Sequence, residues 1–273
     1  MTDRARRSLL LALATPWIAP LAGCGGGGGS GGGDGAATPL TGGPGPGFAS
    51  YTSARTGTTY PLRVHVPAVG DRAAMPVVFA LDGDSWFDTL VALSAGAARP
   101  FIVVAIGNLG ALRNRDYVPA NVCTTGGGGH AAFFDFLRTE LLPDVQAQLG
   151  GDPARRALLG HSHGGSFVLY AMFAQRAGQH AFSAYVSCDA SIGCMPDAVY
   201  GWEADYRTLQ ATLPVRLHLS HASQGNAQAN TTFAQLLGLR GYTGLTWREQ
   251  AYTGTHGGIV PQAYADALAF VLA

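Results

Sequence analysis

The pentapeptide Gly160-His161-Ser162-His163-Gly164 constrains this chain more than any other stretch, because of what flanks it. Arg156-Ala157-Leu158-Leu159 ahead of it reads as a short buried strand. Ser166 to Gln175 behind it reads as a helix, with Phe167, Tyr170, Ala171 and Ala174 on one face. G-x-S-x-G between a strand and a helix is the pattern of a sharp turn that lifts a serine hydroxyl clear of a sheet edge. The glycines on either side let neighbouring backbone pass without a Cβ clash. Ser162 is therefore the candidate nucleophile. The pattern demands an α/β architecture around it.

The rest of the chain is consistent with that demand. From about Tyr51 strand and helix signals alternate, which predicts an α/β fold with a mostly parallel central sheet and helices on both faces. Strands are expected at Tyr60–Val66, Val77–Leu81, Phe101–Ile106, Ala184–Cys188, Val215–Leu219 and Thr246–Ala251. Helices are expected at Ser85–Ala97, Ala131–Leu149, Asn226–Leu239 and Pro261–Leu272, with a long loop at Gly107–Gly129. The chain has 273 residues, of which 47% are hydrophobic and 12% charged, enough for one sizeable domain with a continuous core. Its formal net charge is zero, which argues against a nucleic-acid partner. All 17 basic residues are Arg. Without lysine, a Ser–Lys dyad, a Schiff base, a pyridoxal-phosphate enzyme and a Walker P-loop are all excluded.

The first 47 residues lie outside that pattern. Arg4, Arg6 and Arg7 precede an apolar run from Leu9 to Ala19, and Leu21-Ala22-Gly23-Cys24 follows. The ending resembles a bacterial lipobox, so residues 1–23 are expected to be a lipoprotein signal peptide with Cys24 lipidated. That places the protein in the bacterial cell envelope, held to a membrane by its lipid. Residues 24–47, rich in Gly, Ser and Pro, read as a flexible tether, and 48–273 as the folded domain. Of the remaining cysteines, Cys123, Cys188 and Cys194, two can pair in an oxidising compartment. Cys188–Cys194 would close a small loop, but spacing does not decide the pairing. None of these spacings, nor those of His218 and His221 with His161 or His163, matches a metal site, and no cofactor is expected.

A serine nucleophile needs a base. His256, in Thr255-His256-Gly257-Gly258 after the last strand and before the last helix, stands where this architecture delivers one. His161 and His163 are held beside the serine on too short a leash. Backbone N–H groups of His163 and of Gly83 or Asp84, after the Val77–Leu81 strand, are the candidate oxyanion donors. The acid stays open, because no Asp or Glu occurs between Asp205 and Glu249. Asp189 after the next strand, Glu249 on the last strand, and a Ser–His dyad with no acid are the three arrangements available. Arg113, Arg115 and Tyr117 on the long loop are candidates for binding substrate, since guanidinium groups suit anionic or catechol-bearing ligands. The alternative is that the arginines pair with Asp116 and other carboxylates to pin the loop.

Taken in order, Leu81-Asp82-Gly83-Asp84, Ile106-Gly107-Asn108, Arg113-Asn114-Arg115-Asp116-Tyr117, Gly160-His161-Ser162-His163-Gly164-Gly165 and His256-Gly257 resemble the esterase branch of the α/β-hydrolases. That branch includes bacterial siderophore esterases acting on enterobactin-type trilactones. The resemblance covers roughly residues 48–273. It implies an α/β-hydrolase fold and a serine carboxylic-ester hydrolase that works through an acyl-enzyme, with Ser162 as nucleophile, His256 as base and a small-molecule ester as substrate. The chain departs from the family's pattern at His163, usually a leucine, at Asp189-Ala190-Ser191, commonly Ser-Pro-Ser, and in lacking a carboxylate after the Val215–Leu219 strand. A non-catalytic siderophore-binding lipoprotein and an acyltransferase are the alternatives that share these residues.

Overall fold

Short runs of β-branched and small apolar residues, buried on both sides, make the middle of the sheet. The computed structural model describes residues 47–108, 110 and 112–273. The expected signal peptide, Cys24 and nearly all of the expected tether lie outside these residues. The chain opens with β1 (Gly47–Ser53) and β2 (Thr58–His65), continues through β3 (Val77–Ala80) into α1 (Gly83–Gly96), then β4 (Ile102–Ile106) and α2 (Leu112–Tyr117). A helix follows in three pieces, α3 (His130–Phe136), a π-helical turn at Leu137–Leu141 and α4 (Leu142–Leu149). Then come β5 (Arg156–His161), α5 (His163–Phe173), β6 (Ala184–Cys188), α6 (Pro196–Leu209), β7 (Arg216–Gln224), α7 (Ala227–Arg240), β8 (Thr246–Thr255) and α8 (Val260–Val271).

The eight strands form one sheet in the order β1-β2-β4-β3-β5-β6-β7-β8. The β1–β2 and β2–β4 pairs are antiparallel and the remainder parallel. Strand alternation sends Val77, Phe79 and Leu81 to one face and Val78 and Ala80 to the other. Helices α1 and α8 cover the second face through Phe87, Leu90, Val260 and Tyr264, while α2 to α7 cover the first. Each large apolar side chain so buried contributes about 1.5–3 kcal/mol of transfer free energy.

Chain order reverses at the middle of the sheet: β3 leads through α1 to β4 on one side, while β5 leads through α5 to β6 on the other. Helices α1 and α5 therefore begin next to each other at the carboxyl edge, the crevice where open α/β sheets bind ligands. Four expectations need correction. Helix α5 is buried almost all round, not on one face, because it is sandwiched between the sheet and α2 and α6. Helix α6, unforeseen, turns only Val199, Glu203 and Tyr206 inward, too few to leave an apolar period. Gly47, expected to end the tether, begins β1. Within the expected loop 107–129, residues Leu112–Tyr117 form a helix held by Tyr117, which packs on Phe133 and Phe167.

Candidate active site

Ser162 is the single residue between β5 and α5, and its backbone sits at φ 60°, ψ −124°. For a residue with a Cβ this is strained, and strain of about 1–3 kcal/mol survives only where the surroundings dictate it. They do so here. The Ser162 N–H donates to Cys188 O (3.0 Å), and its carbonyl accepts from Ser166 N–H (3.1 Å) and Ser191 N–H (3.1 Å). A Cβ at Gly160 would overlap the Gly164 carbonyl, so the turn requires glycine there.

His256 directly follows β8. Its Nδ1 lies 2.6 Å from Oδ2 of Asp189, which directly follows β6 at φ 42° and is fully buried. The other carboxylate oxygen accepts the Ala222 N–H (3.2 Å) and the Asn226 N–H (3.0 Å), and Asn226 Nδ2 donates to the Asp189 carbonyl (3.0 Å). A buried carboxylate without such partners would cost several kcal/mol, so Ala222 and Asn226 are what allow Asp189 to sit here at all. Glu249, the other carboxylate considered, is engaged elsewhere: it meets His221 Nε2 (3.0 Å) and Thr231 Oγ1 (2.9 Å).

The imidazole of His256 lies against that of His161, with ring centroids 4.2 Å apart. His161 Nε2 donates to the His256 carbonyl (2.9 Å), and Trp86 packs edge-on with the His161 ring. Burial, reinforced by the neighbouring His256, draws the His161 pKa down to about 4, so this ring stays neutral beneath its partner. The Ser162 hydroxyl is bonded to Ser191 Oγ (3.1 Å) rather than to the imidazole. His256 is thus pinned through Asp189 and His161 to the two segments that flank Ser162. Asn226 and Trp86 were not singled out in the sequence, and His161 and Ser191 lie inside quoted motifs without a role in the site having been assigned to them.

Gly83 and Asp84 open α1 and His163 opens α5, so their backbone N–H groups are free of intrahelical partners. Two positive helix ends meet at one edge. Asp82 holds them together. Its buried carboxylate takes a bidentate pair from Arg113 (Nε 2.7 Å, Nη2 2.8 Å) and a third bond from Asn108 (3.2 Å), and Arg113 also donates to His161 O (3.3 Å).

That arrangement corrects the expectation that Arg113, Arg115 and Tyr117 face substrate. Arg113 is committed to Asp82, and Arg115 to Asp116 (2.7 Å) and Tyr60 OH (3.1 Å). Tyr117 is 2% exposed, and its hydroxyl accepts the Asp82 N–H (3.2 Å). All three pin the loop, because buried Asp82 and Asp116 need cations and donors more than the surface does. The cysteine pairing that spacing left open is Cys123 with Cys194, while Cys188 is free and buried in the core beneath α8.

A cleft of about 410 Å³ opens beside Ser191 and Asn226, lined by Ile192, Pro196, Tyr200 and Ala229. A larger one, about 660 Å³, lies between the ends of α1 and α8 at the amino edge of the strands, away from Ser162.

Residues 53–231 match the model of the Esterase family, described as "Putative esterase". The chain is 35% identical over 136 residues to the siderophore triacetylfusarinine C esterase of Aspergillus fumigatus, covering 44% of this chain and 46% of that one. It is 29% identical over 171 residues to the apo-salmochelin esterase of Escherichia coli O6:H1, covering 55% and 52%. The chain thus spans about half the length of these curated relatives. The crystal structure of an IroE-like serine hydrolase from Shewanella oneidensis superposes with a TM-score of 0.74 at 23% identity, over 82% of this chain and 79% of that one, and shares the α/β-hydrolase fold. Among the described residues no helix is long and apolar enough to cross a membrane.

Proposed function

We propose that this chain, which belongs to the Esterase family, is a serine carboxylic-ester hydrolase acting on small esters of the siderophore type. The observation that carries the reading is the Asp189–His256 pair standing at the same sheet edge as a strained Ser162. In this mechanism the Ser162 hydroxyl turns from Ser191 toward His256, whose Nε2 takes the proton as Oγ attacks the ester carbonyl. Asp189 keeps the proton of Nδ1 facing itself and stabilises the imidazolium. The tetrahedral oxyanion is received by the N–H groups of His163 and of Gly83 or Asp84, each worth about 2.7–4 kcal/mol of barrier. His256 then protonates the leaving alcohol, and water, deprotonated by the same ring, releases the acyl group.

The relatives' names support the substrate class: one is a triacetylfusarinine C esterase, the other an apo-salmochelin esterase. The cleft by Ser191 and Asn226 is the candidate seat for one arm of such an ester. The test is an ester panel of cyclic and linear siderophore esters beside p-nitrophenyl acetate and butyrate, run with wild type and Ser162→Ala. Hydrolysis of the siderophore esters that Ser162→Ala abolishes is the expected result; equal rates for the two proteins would end the proposal. Labelling of Ser162 by a fluorophosphonate separates an enzyme from a binding protein that merely shares its pocket.

Export and lipid attachment belong to the same proposal. The Leu21-Ala22-Gly23-Cys24 sequence supports a lipidated Cys24, with a Gly/Ser tether spacing the domain from a bacterial membrane. Metabolic labelling with a radioactive fatty acid, lost in Cys24→Ala, checks it.

A further inference from the structure

The side chain of His163 meets sulfur. Its Nε2 lies 3.8 Å from Sγ of Cys194, which is bonded to Cys123. Its Nδ1 lies 3.3 Å from Oδ1 of Asn114. The Asn114 amide cannot be turned round, because its nitrogen donates to Thr124 Oγ1 (2.6 Å) and to the carbonyl of Thr125 (3.3 Å). An amide oxygen only accepts, so the His163 proton must sit on Nδ1 and the Nε2 lone pair must point at Cys194. An outer hydrogen bond that fixes the tautomer and aims the other nitrogen is what metal-binding imidazoles possess.

The two sulfurs and Nε2 all lie within 4.8 Å of one another. A tetrahedral zinc ion, with Zn–S of about 2.3 Å and Zn–N of about 2.0–2.1 Å, holds such atoms roughly 3.5–3.8 Å apart. Once the S–S bond is open, the sulfurs need to part by less than about 2 Å to reach that spacing. Cys123 is exposed, so a small thiol can reach the bond. A separation of 71 residues between the cysteines hides the cluster from any search for sequence spacing.

We propose that Cys123, Cys194 and His163 form a masked Cys2His site for a thiophilic divalent ion, which a dithiol unmasks. The dithiol gives two electrons and two protons to the Cys123–Cys194 bond, is itself oxidised to a cyclic disulfide, and leaves two cysteine thiols. The ion then displaces both thiol protons to solvent and takes the Nε2 lone pair as a third bond, with water completing the tetrahedron.

The experiment titrates Co2+ into the full chain before and after dithiothreitol treatment and desalting without air, following the thiolate-to-cobalt charge-transfer absorption and the far-ultraviolet circular dichroism. One equivalent should bind the reduced chain and none the oxidised chain, with Zn2+ displacing it. His163→Ala should weaken binding at least tenfold, and Cys188→Ala should bind like wild type. A reduced chain that keeps its native dichroism yet shows no charge-transfer band overturns the proposal. So does one that loses its fold on reduction, or a His163→Ala variant that binds as tightly as wild type.

Discussion

Asp189 serves two masters with two oxygens: Oδ2 meets His256 Nδ1 at 2.6 Å, while Oδ1 accepts the N–H groups of Ala222 and Asn226. Asp189→Asn separates the two duties. The amide oxygen can still satisfy the two N–H groups, so the fold is kept, but the amide NH2 now donates to Nδ1 and drives the ring proton to Nε2. The expected outcome is a fall in kcat of about 10⁴ with KM nearly unchanged, as the loss of the acid costs in serine proteases. Steady-state kinetics on a p-nitrophenyl ester decides it; an undiminished kcat would mean that His256 works without its acid.

Ser191 competes with His256 for the Ser162 hydroxyl. A hydrogen bond of this kind is worth about 0.5–1.5 kcal/mol net, and it must break before attack. Ser191→Ala should therefore raise the rate of fluorophosphonate labelling at Ser162 roughly 2- to 10-fold. A fall would instead make Ser191 a group that orients the nucleophile.

Arg113 neutralises Asp82, which is 4% exposed, across the gap between the two helix starts. Removing one partner of such a pair strands the other. Arg113→Ala should lose about 3 kcal/mol of stability in urea denaturation. It should also lower kcat, because the Gly83–Asp84 turn and the elbow are no longer tied. If the arginine faced substrate instead, KM would rise and stability would hold.

Acid should destabilise this protein through its buried histidines, His161 and His218 most of all. His161 and His218 are both drawn down to about 4, chiefly by burial, and neither ring nitrogen of His218 has a hydrogen-bond partner. With an unfolded value near 6.5, the unfolded chain binds the extra protons between about pH 6.5 and 4. Their contribution is complete above about pH 6.5 and lost as pH falls to about 4, by up to about 3 kcal/mol per ring. His218→Leu should reduce that loss by up to about 3 kcal/mol in denaturation curves taken at intervals across the window.

The elbow, His256 and the α/β order were legible because each is local: a strand, a turn and a helix signal themselves within a dozen residues, as does a histidine between the last strand and last helix. The expected strand Val77–Leu81 and observed β3 differ by one residue for the same reason. Asp189 stayed one of three choices because its partners, Ala222, Asn226 and His256, are 33 to 67 residues away. Arg113 stayed open between substrate and loop-pinning because a free guanidinium and one bound to Asp82 look alike in a sequence.

The order of residues by itself determined that this chain would build a mostly parallel sheet with a serine raised at one edge, since periodicity and turn chemistry act over short stretches. Tertiary structure alone decided which carboxylate meets His256, which cysteines pair and where Arg113 spends its charge. Those outcomes depend on which buried polar groups the crossovers bring together, and burial makes each of them take whatever partner lies within about 3 Å.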